Sequence, residues 1–378
     1  MKIHEVRRLD EVSGFRSEWE EILSDRGGAN VHYLYDWIYL LYKHMGDEER
    51  NRLYVVEDGN KVMGFVPLIL TTWKTGGLLP LRQLSFIGVG NGVTDFCDFV
   101  IRRGAEEIIE YFFRYMREEN KKAWHLLHFK YLTEGSSNLT EIRRVLKRDS
   151  IDHEETIASR ILYIDLEAYG TWESYYQSLG RNLRRDLRKR WNRIHAYHDY
   201  RYERNGRLSS GELLETMGRL YTGRQRQMGR ESPFEDPVTL GFLREMIDLF
   251  RKKGILDFSL VYLEGKPVSY TLGFVYNNIY YHWSIGFDTG YSHLSPNKAH
   301  HGILIRDCFE EGISEFNFMR GDSEYKFKWT KTYRTSYQIR VPNAFSSYGK
   351  LVNGLRRIRA RRASVRCSPH DAVSSPPP

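Results

Sequence analysis

A chain of 378 residues exceeds what one ordinary hydrophobic core organises, and 41% hydrophobic with 28% charged residues excludes wholesale disorder, so two domains are expected. The formal charge of +8 is local: seven basic residues stand between Arg181 and Arg193 against the single Asp186, and seven more between Phe345 and Arg366 with no acid. No apolar run is long enough to span a bilayer, Met1 to Asp10 lacks the apolar core of a secretion signal, and Cys97, Cys308 and Cys367 show no CxxC spacing, which argues against membrane passage, export and a disulfide framework. A cytoplasmic location is expected.

Taken in chain order, Glu18 to Leu23 and Tyr33 to His44 read as helices, the second with Asp36 as its N-cap. Leu53 to Val56, the turn Asp58-Gly59-Asn60 and Val62 to Leu70 form a hairpin, which Gln83 to Gly88 and Asp95 to Ile101 continue as strands. Ala105 to Glu118 carries Ile108, Ile109, Phe112, Phe113 and Met116 at helical spacing; a strand at Ala123 to Phe129, a helix at Ser137 to Arg148 and a strand at Ile161 to Leu166 close the first half. The boundary is expected near residue 167.

The second half opens with helices at Thr171 to Leu179 and Asn182 to His198, a strand at Tyr200 to Arg204, and helices at Ser210 to Met228 and Pro237 to Lys252. Alternation at Leu256, Phe258, Leu260 and Tyr262, then at Val268 to Tyr276, then at Ile279 to Ile285 predicts three consecutive antiparallel strands. A helix from Asn297 to a C-capping Gly312 and a strand at Glu315 to Met319 follow, the strand returning beside an earlier one. LYVVEDGNKVMGFVPLIL from Leu53 reads much like LVYLEGKPVSYTLGFVY from Leu260, and SFIGV from Ser85 like SIGF from Ser284, so a duplicated α/β unit is expected.

The stretch from Tyr280 to Thr330 carries Phe287-Asp288, Ser295-Pro296, Glu311-Gly312 and the string Gly321-Asp322-x-x-Tyr325-Lys326-x-x-Trp329, and an arginine-rich helix starts at Gly180. In these features the chain resembles the CelD/BcsL-like acyltransferases, a GNAT branch associated with cellulose and exopolysaccharide synthesis. The resemblance covers residues 170 to 335 well and the first half loosely. It implies tandem GNAT-like halves, with mixed, mostly antiparallel sheets flanked by helices, similar to the FemAB ligases that transfer amino acids from tRNA. It also implies an acyl-CoA co-substrate and transfer to an amine.

A thioester carrier brings a diphosphate, for which free amides at a helix N-terminus are a cradle; Ser295, Pro296, Asn297, Lys298 and Ala299 occupy that position. Asn297 stands where the family usually has glycine. Direct transfer needs an acid for the leaving thiolate, for which Tyr325 is the first candidate, a base from Asp322, Glu324 or Asp288, and charge stabilisation from Lys326. His282 faces the side of its strand opposite Tyr281 and, with Trp329, is a candidate for substrate contact. The helix from Asn182 has an apolar line at Leu183, Leu187, Trp191 and Ile194, leaving Arg181, Arg185 and Arg188 to contact phosphates, an anionic acceptor or tRNA.

Adjacent His300 and His301 point apart on a helix, and His125 and His128 lie on opposite faces of a strand, so no metal site is expected. Gly88, Gly90 and Gly92 precede a strand-like segment and fail as a nucleotide loop. The domains expected are a degenerate GNAT-like unit over 1–167, an acyltransferase unit over 168–343, a basic amphipathic helix over 344–366 able to rest on an anionic membrane surface, and a disordered tail over 367–378. Three functions are thereby framed: an acyl-CoA-dependent transferase acting on an amine-bearing small molecule, sugar or lipid of the cell envelope or exopolysaccharide, an aminoacyl-tRNA-dependent transferase, and a non-catalytic scaffold of a polysaccharide synthase.

Overall fold

The computed structural model describes residues 1–26, 30–73, 80–90, 92–346, 349–351, 354–355 and 358. The expected basic helix over 344–366 and the tail over 367–378 lie largely outside the described residues. The first half runs β1 (Lys2–Val6), α1 (Leu9–Ser13), α2 (Arg16–Arg26), α3 (Tyr35–Met45), β2 (Asn51–Asp58), β3 (Lys61–Trp73), β4 (Leu81–Phe86), β5 (Val100–Ile101), α4 (Glu107–Glu118), β6 (Leu126–Thr133), α5 (Ser137–Arg148) and β7 (Glu154–Asp165). The second runs α6 (Leu166–Tyr169), α7 (Trp172–Ser178), α8 (Arg181–His195), β8 (Arg201–Arg204), α9 (Ser210–Gln227), α10 (Pro237–Lys252), β9 (Leu256–Leu263), β10 (Lys266–Tyr276), β11 (Ile279–Phe287), α11 (Pro296–Glu310), β12 (Glu315–Arg320) and β13 (Tyr333–Pro342).

Local chemistry sets most of these boundaries. Ser136 accepts the Leu139 amide to start α5, a reciprocal box between Ser209 and Glu212 starts α9, and Asp236 followed by Pro237 starts α10. Gly312, at φ 69°, ends α11 in the left-handed conformation that glycine tolerates. Asp36 departs from its expected role. A short turn over Val31–Tyr33 lets α3 begin at Tyr35, so Asp36 lies in the first turn, where its carboxylate takes Arg16 Nη2 at 2.6 Å and Lys253.

Thirteen strands join one sheet in the order β1-β2-β3-β4-β6-β13-β7-β12-β11-β10-β9-β8, with β5 beside β3. Neighbours are antiparallel except β4 with β6 and β11 with β12, which are parallel, so β2-β3-β4-β6 repeats as β9-β10-β11-β12 and the internal repeat is borne out in three dimensions. The halves also exchange their last strands: β13 pairs β6 and β7, while β7 pairs β12. Residue 167 falls in α6, directly after β7.

Helices cover both faces. In the first half α4 and α5 pack on one face; in the second, α7, α8 and α11 do. The opposite faces share a single core in which α2 and α3 meet α9 and α10. Trp37, fully buried, is central to it, its ring set edge-on to Phe242, Phe250, Phe274 and Trp283. Among the described residues no helix is long and apolar enough to cross a membrane.

Candidate functional site

The parallel pair β11 and β12 holds register only over Ile279–Glu315, Tyr280–Phe316 and Tyr281–Asn317. Beyond that rung both strands are bent. On β11, pairing with β10 skips from His282 to Ser284, leaving Trp283 as a bulge residue whose indole donates to the Val93 carbonyl at 3.1 Å. On β12, Met319 takes φ 58°; the Asn317 side chain accepts its amide at 2.9 Å, and Lys326 Nζ donates to the carbonyls of Arg320 at 2.8 Å and Met319 at 3.3 Å. The strands therefore part, and the edge of β12 is held by two side chains where a neighbouring strand would otherwise pair.

The chain leaves β11 through a short turn over Thr289–Leu294 and enters α11 through Ser295, which is left-handed at φ 47°, ψ 60°. Pro296 carries no amide proton and the Lys298 amide bonds the Ser295 carbonyl at 3.0 Å, which leaves the Asn297 amide without a backbone acceptor. The Asn297 side chain accepts from Ser269 Oγ at 3.3 Å, and its backbone carbonyl faces His301 Nδ1 at 3.1 Å. Beside this helix start lies a cleft of about 980 Å³ whose wall includes Arg185, Lys189, Lys298, Lys328 and Lys331 against Asp186 and Glu324. Asp186 bonds Lys298 and, at 3.0 Å, Arg190. These contacts hold the Asp186 carboxyl below the ordinary range against the effect of its partial burial.

Under α11, the rings of His282 and His301 pack tilted by 38° with centroids 4.5 Å apart, and the Nε2 of each is buried without a hydrogen-bond partner among the described residues. Burial lowers His301 to about 4 and holds His282 well below the usual imidazole range, so both rings are neutral near pH 7. Burial likewise lowers Lys326 to about 8, opposed by the charges of Asp95 and Asp322. Tyr325 leaves 40% of its surface exposed, yet its hydroxyl stands among protein atoms that raise it to about 12.

The remaining candidates fall in different places. Asp322 is exposed on the loop before Tyr325. Asp288 caps the Thr289–Leu294 turn through the Gly290 amide at 2.9 Å and lies 3.7 Å from Arg219. Trp329 is buried against His301, with ring centroids 5.8 Å apart. Arg185 lines the cleft, whereas Arg181 and Arg188 are exposed and outside its wall. His300 and His301 do point apart: His300 meets Ser259 Oγ at 2.7 Å and Ser269 Oγ at 2.9 Å, while His301 turns to His282. Among the described residues no group of three His, Cys, Asp or Glu side chains is placed to hold a metal ion.

Sequence reasoning did not assign Lys328, Lys331 or His301. The two lysines lie just past the Tyr325-Lys326 string, and His301 is set four residues after Asn297, a spacing that puts both on one helix face.

Residues 181–327 match the family described as "Acetyltransferase (GNAT) domain". This segment is similar to GNAT acetyltransferase domains. The solved structure of FemX superposes with a TM-score of 0.57 at 14% identity, covering 91% of this chain and 98% of FemX. The C-terminal domain of a putative lysylphosphatidylglycerol synthetase from Agrobacterium fabrum gives 0.53 at 10%, covering 90% and 95%. A tandem GNAT protein from the clavulanic acid biosynthesis pathway gives 0.50 at 10%, covering 92% and 100%. At these identities the likeness shows the fold, a tandem of GNAT-like halves. No curated protein matches the chain significantly.

Proposed function

We propose that the chain is an N-acyltransferase that moves an acyl group from acyl-CoA to an amine. The observation that carries this reading is the basic cleft lined by α8, by Lys298 at the start of α11 and by the loop after β12. Arg185, Lys189, Lys298 and Lys328 supply the positive charge a phosphate-bearing carrier needs, and the Asn297 amide supplies a helix-start donor. The side chain of Asn297 is already spent on Ser269, so it stands clear of that amide and tolerates the position glycine usually takes.

In the gap the acceptor nitrogen bonds to the thioester carbonyl carbon, the C–S bond breaks, the sulfur takes a proton and the nitrogen loses one. Tyr325 stays protonated across the physiological range and donates to the sulfur; Lys326 sets positive charge beside the developing oxyanion. The neutral imidazoles of His282 and His301 are proton acceptors at the gap, a role Asp288 cannot fill while it caps its turn. The motif resemblance supports a reading in which the acceptor belongs to cell-envelope or exopolysaccharide synthesis and the reaction is cytoplasmic.

A thermal-shift series with CoA, acetyl-CoA, longer acyl-CoAs and aminoacyl-tRNA tests the reading, because a ligand that binds the folded state raises the melting temperature. Acyl-CoA is expected to stabilise the chain, and Lys189→Glu with Lys328→Glu to weaken binding by about tenfold or more. Tyr325→Phe is expected to slow turnover by about a hundredfold while sparing donor binding. Stabilisation by aminoacyl-tRNA alone would replace this reading with tRNA-dependent transfer, and silence throughout would replace it with the scaffold.

A further inference from the structure

A second cleft, of about 660 Å³, lies in the seam between the halves. Its floor includes Tyr281 and Asn317, the last rung before β11 and β12 part, and these side chains alternate with His282, Phe316 and Phe318, which face α11. The cleft therefore reaches the gap from the face opposite the basic cleft. Its volume is within the range of roughly 300–1,000 Å³ typical of small-molecule sites.

The chemistry of the wall narrows what it takes. Its buried charges are matched within the protein. Arg334 gives Nη1 and Nη2 to the Glu315 carboxylate at 2.8 and 2.6 Å, and Asp98 accepts from Ser136 Oγ at 2.7 Å, Asn138 Nδ2 at 2.8 Å and the Phe99 amide at 2.8 Å. The Arg334–Glu315 pair cancels its own charge and the Asp98 carboxylate is engaged by three neutral donors, so neither is free for an ionic ligand. The unspent groups are hydroxyls. Tyr281 is only 3% exposed, its ring set edge-on to Phe96, and its hydroxyl has no hydrogen-bond partner among the described residues; the same holds for Tyr33, and Thr133 Oγ1 is buried without a partner. Among the described residues Thr133 Oγ1 alone of these is buried away from water, while the Tyr281 and Tyr33 hydroxyls are free to meet a ligand, and the three converge on one space from both halves.

We infer that the seam cleft binds a neutral, hydroxyl-rich molecule of one or two sugar rings, and that the amine of an amino sugar held there is the acyl acceptor. The acceptor role rests on the acyl-transfer reading above; sugar binding does not. Tyrosine hydroxyls bond the hydroxyls of a sugar ring, and Arg103 at the rim, exposed and without an ion pair among the described residues, adds a donor.

The test is calorimetry and saturation-transfer NMR on the full chain with a glucosamine disaccharide, against a lysine tripeptide and spermine. The disaccharide is expected to bind, and Tyr281→Phe to weaken it by about five- to tenfold with an unchanged melting temperature. Arg103→Ala, at an exposed site that leaves folding intact, is expected to weaken it by a smaller factor. No disaccharide binding, undiminished binding in both variants, or tighter binding of the tripeptide or spermine would overturn the inference. If the disaccharide binds while no acyl-CoA stabilises the chain, the sugar site stands and the acyl-transfer reading falls; the reverse pattern removes the sugar site alone.

Discussion

The two halves make the same gap and use it differently. In the first, β4 and β6 are paired over Gln83–Leu126, Leu84–Leu127 and Ser85–His128 and then part, and β6 carries a left-handed residue, Tyr131 at φ 70°, near the point where β12 carries Met319. There the gap is filled by the chain itself: the segment after β4 crosses it, the Cys97 amide donates to the Tyr131 carbonyl at 3.2 Å, and Phe96, Cys97 and Phe99 are buried. In the second half the edge of β12 is held by Asn317 and Lys326, and the chain leaving β11 enters α11 beside a basic cleft. The difference starts at the turn. Gly88 sits at φ 90°, where a Cβ would come within 2.4 Å of Thr94 Oγ1, so the chain after β4 folds back on itself. One repeat is thus plugged by its own chain, while in the other the chain turns away into α11.

The largest expected effect separates the halves by acid. Burial lowers His300 to about 3 and His301 to about 4, holds His282 far down, and lowers His32, which accepts the Asp95 and Phe96 amides, to about 3. Each folded pKa lies below its unfolded value, so the unfolded chain binds more protons below pH 6.5 and stability falls as pH drops through that window. At pH 5 each ring costs about 2 kcal/mol, and together they rival the stability of an ordinary domain. Denaturant unfolding followed from pH 7 to pH 5 should report an uptake of about four protons, three of them from the second half. A stability that is flat over this range would show that the imidazoles are not sealed from water.

The plug also braces its counterpart. Asp95 takes Arg320 Nε at 2.8 Å, and Arg320 also bonds the Tyr131 hydroxyl, so the segment that fills the first gap holds the β12 residue at the mouth of the second. Burial raises the Asp95 carboxyl, against the pull of Arg320. Asp95→Ala is expected to cost about 3 kcal/mol, because it leaves a half-buried guanidinium without its carboxylate, and to weaken stabilisation by acyl-CoA severalfold. In a double-mutant cycle with Arg320→Met the two changes should couple by more than about 1 kcal/mol. Additive costs with donor binding untouched would mean that the plug serves the first half alone.

What could be read from sequence was what local pattern decides. The paired hairpins at Asp58-Gly59 and Glu264-Gly265 and the starts of α5 and α10 follow from turn and capping residues a few positions apart, and the repeat followed from comparing them. Strand β1 and strand β13 (Tyr333–Pro342) went unread, and so did the exchange of β13 with β7, because pairing across the whole chain leaves no local signature. Asp95–Ile101 alternates like a strand, yet only Val100–Ile101 pairs, since the rest lies across the gap. At the candidate site, the Tyr325-Lys326-x-x-Trp329 string marks the loop whose Lys326 holds the end of β12. The basic lining was read only in part: Arg185 and Lys298 line the cleft, whereas Arg181 and Arg188 turn outward and Lys328 and Lys331 were not assigned.

The smallest effect isolates the edge of β12. Lys326 titrates at about 8 when folded against 10.5 when unfolded, because burial disfavours its charge. Between those values the unfolded chain keeps a proton that the folded chain has released, so stability should rise with pH, by about 2 kcal/mol from neutrality to pH 9.5. The matching edge in the first half is held by the Cys97 amide, which does not titrate, so this slope belongs to the second half alone. Lys326→Met should remove the slope and keep the fold, since a methionine of similar length fills the same space without a charge to desolvate. A slope that survives in the variant would trace the titration to another group and leave Lys326 an ordinary ammonium, fully charged at pH 9.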